Sequence, residues 1–439
     1  MEDDDYYNDD GGYDEYYDDD GGDAAQVDPL EVKYVDGKSL MLNNTEESLR
    51  CLREVVAEDT EHGRWTFKAL KMLARASRIA QHYDAMADYY GQVVHFAHPE
   101  VDAAAVAKAM LKFTGESQRV PVVWRERTLL MTLEVAAAQP TTYRDVVAPT
   151  LLRRATLLVE EARYEAALED LQAALHVCDV SNAAMAQLNA TSIYHIRTLQ
   201  LTAYRKLRRY AELRRTYYVL GRVHAALPPL RMVGSAMESA GHLFLHDADW
   251  AAAHRAFTSA LRCHADSGDA QQFALVKYIV LATIMAGVPA NVFAQEEALI
   301  DHPSVLPARA LWKASTSLDV PECVRVLHSP DNAACFTADD EFAPYVEPLL
   351  FQLRTNYLVS YTKSFGTLSM STLGARLQLE AGPCKELCTS AILLGLIDAT
   401  VEDRRGLLVM RRVSRPTPSS VAALHDLSTM TSELCSRSG

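Results

Sequence analysis

The chain has 439 residues, of which 49% are hydrophobic and 23% are charged, and its formal net charge is −15 at pH 7. This length exceeds that of most single compact domains, so we expect two or three structural parts around a large buried core. The sequence has no run of about 18 apolar residues and no basic N-terminal region before an apolar one, so it predicts neither a membrane span nor a secretion signal.

The first 23 residues carry most of the negative charge. They contain twelve Asp or Glu and no Lys or Arg, so the rest of the chain has a net charge of only −3. A segment with so few apolar side chains cannot offset the entropy that folding removes. We therefore expect residues 1–26 to be a disordered acidic tail, which either keeps the protein soluble or docks on a basic partner.

The first predicted helical pair covers residues 45–80, and its second helix carries a row of cations. Five basic residues at steps of four and three share one helical face: Arg64, Lys68, Lys71, Arg75 and Arg78. The same helix contains no acidic residue, and its apolar residues lie mainly toward the other side: Phe67, Leu70, Ala74 and Ile79. This cation row is either a solvated face or a docking strip for an acidic protein surface or a polyanion.

An internal repeat organises the middle of the chain. Each copy begins with an aromatic residue, and the last copy continues at helical spacing with Ala253, Phe257, Ala260 and Leu261. The copies start at Tyr83, Tyr164, Tyr210 and Trp250, and the widest gap has room for a degenerate copy around residues 124–133. A helical period of about 40 residues is typical of an α-solenoid, whose units must stack to bury their apolar faces.

A second basic cluster lies between residues 205 and 215. It consists of Arg205, Lys206, Arg208, Arg209, Arg214 and Arg215. We expect most of these side chains to be solvated residues of turns and helices. The eight cysteines are scattered without a CxxC pair, which favours buried free thiols in a reducing compartment, the cytosol or the nucleus.

Near the C-terminus the pattern changes to short strands and short helices. The sequence predicts a strand at 367–370, helices at 371–379 and 382–399, and two strands around a turn at 403–406, an order that is typical of a winged helix. The second helix offers only Lys385 as a cation, which serves phosphate contact poorly. We therefore expect the wing to bind a protein by offering an edge strand, with nucleic-acid binding as the alternative.

The sequence contains none of the common catalytic motifs. It has no His-x-His pair for a zinc isopeptidase, no phosphate-binding glycine loop and no GxSxG elbow. His242 and His246 lie four residues apart, but the glutamate of an HExxH motif is missing, so we expect a packed or solvated pair. We predict no catalytic, cofactor-binding or metal-binding residues.

A helical-repeat array that runs directly into a winged helix resembles the PCI family, which is named after subunits of the proteasome, the COP9 signalosome and initiation factors. The residues that carry the resemblance include VDPLEVKYVDGKSL at 27–40, HGRWTFKALK at 62–71, the segment 238–282 and the winged helix. The resemblance predicts a mostly α fold, in which a TPR-like helical-repeat solenoid is followed by a small winged-helix (PCI) subdomain and a C-terminal helix.

The expected domains follow from this resemblance. The helical-repeat arm would cover residues 27–245. The PCI domain would cover 246–413, with a helical part at 246–365 and the winged helix at 366–413. Residues 414–439 would form a linker and a bundle helix.

The resemblance implies a non-catalytic scaffold subunit of the COP9 signalosome. Its arm would hold a cullin-RING ubiquitin ligase while another chain removes the ubiquitin-like modifier. The cation row would face the ligase, with an inositol phosphate as a candidate ligand between them. A protein of this kind is expected in the cytoplasm and the nucleus.

The same resemblance implies how the subunits assemble. Winged helices would pair edge to edge, and C-terminal helices would gather in a bundle. The residues expected to serve assembly are Leu407, Leu408, Val409, Val421, Leu424, Leu427 and Leu434. The alternatives are a PCI subunit of the proteasome regulatory lid and a PCI protein of the nucleic-acid-binding or initiation-factor type.

Overall fold

The computed structural model describes residues 28–116, 120–178, 189–223, 228–288, 293 and 302–411. The expected acidic tail and the expected C-terminal bundle helix lie outside these residues. Contacts within the chain define two compact units: the first extends to Leu207 and includes Val223, and the second comprises Arg208–Arg222 and the residues from 228 onward. The domain boundaries expected from the sequence stay predictions.

The first unit consists of helices throughout its described residues. They are α1 Pro29–Leu40, α2 Thr45–Glu58, α3 Arg64–Ile79, α4 Tyr83–Val94, α5 Ala103–Gly115, α6 Val122–Ala138, α7 Arg144–Glu160, α8 Tyr164–Val177 and α9 Ala190–Lys206. Neighbouring helices pack on each other from α1 to α4 and from α6 to α8. The predicted first pair, α2 and α3, therefore has a helix before it, which begins at Pro29 because proline suits a first helical position.

The core of the first unit holds aromatic and hydroxyl groups together. The Tyr90 and Phe113 rings stack with their centroids 4.3 Å apart. The Thr132 hydroxyl donates to the carbonyl of Thr128 at 2.8 Å, so the buried Tyr90 hydroxyl is the donor to Thr132 Oγ1 at 2.6 Å. Both buried hydroxyl groups therefore have hydrogen-bond partners.

One type of turn recurs between the helices of the repeat. Each predicted copy begins at the first residue of a helix: Tyr83 of α4, Tyr164 of α8, and Tyr210 and Trp250 in the second unit. The residue two positions before each start has a positive φ, with 61° at Gln81, 58° at Ala162, 55° at Arg208 and 57° at Ala248. Each preceding helix is therefore closed by a residue in the left-handed conformation, and none of these four residues is glycine.

The second unit begins with helices and ends with a small sheet. Its elements are α10 Tyr210–Leu220, α11 Leu230–His246, α12 Trp250–Asp266, α13 Gln271–Ala286, α14 Leu306–Thr316, α15 Val320–His328, α16 Val346–Thr362, β1 Thr367–Ser369, α17 Met370–Leu377, α18 Ala381–Leu393, β2 Ala399–Glu402 and β3 Leu407–Met410. Helix α12 packs on both α11 and α13. Helix α13 is apolar around most of its circumference, and it is accordingly buried from Tyr278 to Ile284.

The C-terminal part of the second unit is a winged helix. The three strands form an antiparallel sheet in the order β1-β3-β2, with Leu368 opposite Leu408 and Val401 also opposite Leu408. Helices α17 and α18 lie between β1 and β2 in the chain and share a core with the sheet. The order of strand, two helices and hairpin that the sequence predicts is confirmed.

The predicted fold class is also confirmed, because helical repeats precede the winged helix. None of the helices among the described residues is both long and apolar enough to cross a membrane.

Candidate functional site

The cation row lies on α3, and two carboxylates, one of them buried, hold the start of this helix. Asp59 Oδ2 accepts hydrogen bonds from the amide of Gly63 at 3.1 Å, from the amide of Thr66 at 2.9 Å and from the Thr66 hydroxyl at 2.7 Å. Burial alone would raise the pKa of Asp59, but these hydrogen bonds outweigh it and hold the pKa below its ordinary value. Asp59 thus stays ionised beside the positive end of the helix dipole.

A second carboxylate comes from the loop before α5. Glu100 Oε2 accepts a hydrogen bond from the amide of Arg64 at 3.1 Å. A Cβ at position 63 would lie 2.5 Å from the same oxygen, so a side chain there would displace the Glu100 carboxylate. Trp65 Nε1 donates to Asp28 Oδ2 at 2.7 Å and so ties α3 to the start of α1. The row is therefore built on a helix whose first turn is firmly held.

The opposite face of α3 is buried, as the sequence predicts. Phe67, Leu70 and Ala74 belong to the core of the first unit, and Ile79 is half-buried. The Phe67 ring packs on Phe96 with a centroid distance of 5.1 Å. This packing fixes the orientation of the helix, and with it the direction of the cations.

The first part of the cation row lies over aromatic rings of its own helix. Lys68 Nζ is 4.7 Å from the centroid of the Trp65 ring, and Lys71 Nζ is 4.8 Å from that of Phe67. Arg64 is exposed, and the two lysines are partly exposed. The rings limit the motion of both lysines while leaving their charge in place.

The second part of the row has an acidic partner that the sequence analysis missed. Glu116, at the end of α5, accepts from Arg75 Nη2 at 2.6 Å and from Arg78 Nη2 at 3.2 Å. Its carbonyl also accepts from Arg78 Nη1 at 2.9 Å. The expectation that α3 itself contains no acidic residue is correct, but another helix supplies an acidic partner for Arg75 and Arg78. The five cations are therefore not equivalent.

The expected assembly residues of the wing lie in the central strand of the sheet. Leu408 is fully buried, and Leu407 and Val409 are partly buried. Because β3 pairs with β1 on one side and with β2 on the other, it has no free edge, and the role of Leu407, Leu408 and Val409 in assembly stays a prediction. The outer strands among the described residues are β1 and β2. The other assembly residues, Val421, Leu424, Leu427 and Leu434, lie outside the part of the chain that the structure describes.

Lys385, His242 and His246, which the sequence analysis considered as possible functional residues, each contact another side chain of the protein. Lys385 Nζ lies 2.6 Å from Asp403 Oδ2, so the cation of α18 is paired with the turn of the wing. The buried His242 packs against Tyr278 with a centroid distance of 4.5 Å, and His246 stacks on Tyr210 at 3.8 Å. Within the described ranges, no three His, Cys, Asp or Glu residues are grouped closely enough to hold a metal ion.

The second basic cluster is mostly exposed, as predicted, with one exception. Arg205 is buried in α9, whereas Arg209 and Arg215 are exposed. Arg208 Nη2 donates to the carbonyl of Asp340 at 2.9 Å, and Arg214 pairs with Asp247. The described cysteines are all free, and four of them are buried: Cys178, Cys323, Cys384 and Cys388.

Sequence reasoning overlooked the acidic residues that hold the site. Asp59 left only an indirect signal, because it lies four residues before Gly63, the N-cap of α3, and not at the capping position itself. Glu100 and Glu116 left no local signal, because each lies more than 30 residues from the part of α3 that it contacts.

The chain is similar to known proteins both in its C-terminal domain and over most of its length. Residues 331–412 match the PCI domain family. A COP9 signalosome complex subunit 2 from Dictyostelium discoideum is 24% identical over 379 residues, which cover 85% of this chain and 84% of that protein.

Two further relatives have the same description. COP9 signalosome complex subunit 2 from Neurospora crassa is 23% identical, with 92% of this chain and 83% of the relative covered. The one from Drosophila melanogaster is 22% identical, with 94% of this chain and 93% of the relative covered. The resemblance found in the sequence is confirmed: the chain carries a PCI domain at residues 331–412 and is similar over most of its length to COP9 signalosome complex subunit 2.

Proposed function

We propose that this chain is a non-catalytic scaffold subunit of a COP9 signalosome. The similarity to subunit 2 over 84% and 93% of the length of two relatives supports this assignment. The surroundings of His242 and His246, which pack against aromatic rings, give no support for a metal centre of the HExxH type. The catalytic zinc site of the complex would lie in another chain, and the subunit would work in both the cytoplasm and the nucleus.

The cation row is the proposed docking site for a cullin-RING ubiquitin ligase. The observation that carries this proposal is the first part of the row, where Arg64, Lys68 and Lys71 lie on one face of a helix held at its start by Asp59 and Glu100. A rigid row of cations attracts an acidic surface and fixes its orientation. An inositol phosphate between the two proteins would fit the same charge pattern, because its phosphates can bind several cations together.

The wing and the C-terminal segment are the proposed means of assembly with other signalosome subunits. The outer strands β1 and β2 offer main-chain groups for pairing with a partner sheet. The apolar residues Val421, Leu424, Leu427 and Leu434 would join a helical bundle.

The proposal is tested by capture of a purified cullin-RING ligase on the immobilised chain. Arg64→Glu/Lys68→Glu is compared with wild type at two salt concentrations, with and without added inositol phosphate. Because exposed charges are screened by salt, wild type should bind more weakly at the higher concentration. The charge reversal should weaken binding by at least about tenfold at the lower concentration.

The matched control is Lys108→Glu/Arg144→Glu, which changes the net charge equally at two exposed positions of the same unit. Circular dichroism checks whether each variant keeps its helices. Equal binding by all three proteins would show that the cation row is only a solvated face of the helix. Failure of wild type to bind, together with its recovery in proteasome particles from cell extract, would favour the proteasome-lid alternative.

A further inference from the structure

Three leucines at the end of α18 form an exposed apolar surface. Leu393 is 82% exposed, Leu394 is 68% exposed and Leu396 is 47% exposed. The sequence analysis assigned these side chains no role. Neighbouring leucines that are exposed to this extent are typical of an interaction surface. We call Leu393, Leu394 and Leu396 the leucine patch.

The leucine patch is held rigidly by the end of its helix. The amide of Leu394 donates to the carbonyl of Ser390 at 2.9 Å, and the amide of Leu396 donates to that of Ala391 at 2.9 Å. Gly395 between them has a φ of 69°, the left-handed conformation that closes a helix end. A preformed apolar surface loses little entropy on binding, which favours docking.

The end of the described chain lies beside this patch. The amide of Arg411 donates to the carbonyl of Asp398 at 2.9 Å, and Arg411 Nε lies 3.9 Å from Asp398 Oδ1. Asp398 follows Leu396 by two residues. The residues after Arg411 therefore start next to the leucine patch.

The sequence that follows contains a complementary apolar stripe. Residues 412–418 provide a linker that can extend over roughly 24 Å. After it, a helix at 419–434 would place Val421, Leu424 and Leu427 on one face, with Ala422 and Thr429 on the other. A short linker gives a tethered segment a local concentration on the order of millimolar, so it competes well against a second copy of the chain.

We propose that residues 419–434 dock in cis on the leucine patch and cover it in the free subunit. Leu424 and Leu427 pack against Leu393 and Leu394, and the linker crosses the end of the sheet. The interaction is intramolecular, so it is independent of protein concentration.

Amide hydrogen exchange of the full-length chain tests this docking. The variant Leu393→Gln/Leu394→Gln changes exposed side chains only, so its fold should be unaffected. Exchange of the amides at 421–434 should accelerate at least about tenfold in this variant, because the helix loses its docking surface. The matched control is Leu230→Gln/Leu306→Gln, two leucines of the same unit that are each 49% exposed, and it should exchange like wild type.

A reciprocal pair of variants changes the segment instead of the patch. Leu424→Glu/Leu427→Glu should increase binding of an apolar fluorescent dye, whereas Ala422→Glu/Thr429→Glu on the opposite face should not. The proposal would be overturned if the amides at 421–434 exchanged equally fast in wild type and in Leu393→Gln/Leu394→Gln. It would also be overturned if these amides stayed protected from exchange in that variant. Protection that grows with protein concentration would also overturn it and would indicate a second copy as the occupant.

Discussion

The Phe257 ring of α12 lies directly against the main chain of Gly241 in α11. A Cβ added at position 241 would be 2.6 Å from Phe257 Cε1 and 2.7 Å from Cζ, both closer than carbon atoms can approach. Phe257 is fully buried, so its ring has no open space to move into. The two helices therefore approach each other as closely as they do because residue 241 lacks a side chain.

Gly241→Ala should lower the free energy of unfolding by about 1–3 kcal/mol, the range found when an extra carbon is forced into a packed core. Urea unfolding followed by circular dichroism measures the effect. The control is Gly382→Ala in the first turn of α18, where an added Cβ would meet nothing within 4 Å. That change should leave stability equal or slightly higher, since alanine favours a helix. A control that loses as much stability as Gly241→Ala would contradict this explanation.

The repeat shows which parts of the fold were predictable from the sequence. The aromatic residue of each copy, for example Trp250, marks a helix start because its partners follow at local helical spacing. The left-handed turns were not predictable, because Gln81 and Ala248 stand where a glycine would have been the usual signal. The strand order was not predictable for a related reason: the pairing of β3 with β1 joins residues about 40 positions apart, and no local pattern encodes it.

Ala248→Gly should raise the free energy of unfolding by about 0.5–1 kcal/mol. Ala248 has a φ of 57°, and a residue other than glycine costs about 1–2 kcal/mol in this left-handed conformation. Glycine removes this cost, but its greater flexibility in the unfolded chain offsets part of the gain. The control is the same change three residues later, Ala251→Gly, at an exposed position in the first turn of α12. There stability should fall by about 1 kcal/mol. Thermal unfolding of both variants shows whether the two effects have opposite signs.

The contribution of Asp59 to stability should depend on pH. Its pKa in the folded protein lies below the ordinary value, so the unfolded state takes up a proton more readily. The stabilisation is therefore fully present above the unfolded pKa of about 4, and it is lost as the pH falls through the lowered folded pKa. Asp59→Ala should lower the free energy of unfolding by about 2 kcal/mol at pH 7.

Urea unfolding at a series of pH values from about 2 to 7 measures this dependence. The slope of stability against pH at the acidic end should be smaller in Asp59→Asn than in wild type. Asp88→Asn, at an exposed position of the same unit, serves as the control and should follow the wild-type curve. Identical slopes in all three proteins would show that Asp59 does not titrate differently on folding.

The candidate site was less predictable than the fold. The spacing of Arg64, Lys68 and Lys71 placed them on one helical face because helical geometry is local. The charge that Arg75 and Arg78 present to solvent depends on Glu116, which tertiary packing brings from the end of another helix. A sequence pattern therefore gave the direction of the cation row, and only the fold gave its effective charge.

Glu116→Gln should strengthen the binding of polyanions to the cation row. The carboxylate offsets part of the charge of Arg75 and Arg78, whose side chains are only 15% and 20% exposed. Its removal leaves both guanidinium groups with an amide oxygen in place of a carboxylate, so the local positive potential rises. On a heparin column the variant should elute at a higher salt concentration than wild type, because more cations take part in the exchange with salt ions.

The matched control is Glu126→Gln, which removes the carboxylate that pairs with Arg163 at 2.9 Å in the same unit. It changes the net charge by the same amount but lies away from α3. If overall charge governed retention, both variants would elute later by the same margin. A shift confined to Glu116→Gln, and absent when Arg75→Gln/Arg78→Gln is added, would establish that Glu116 limits the charge of the cation row.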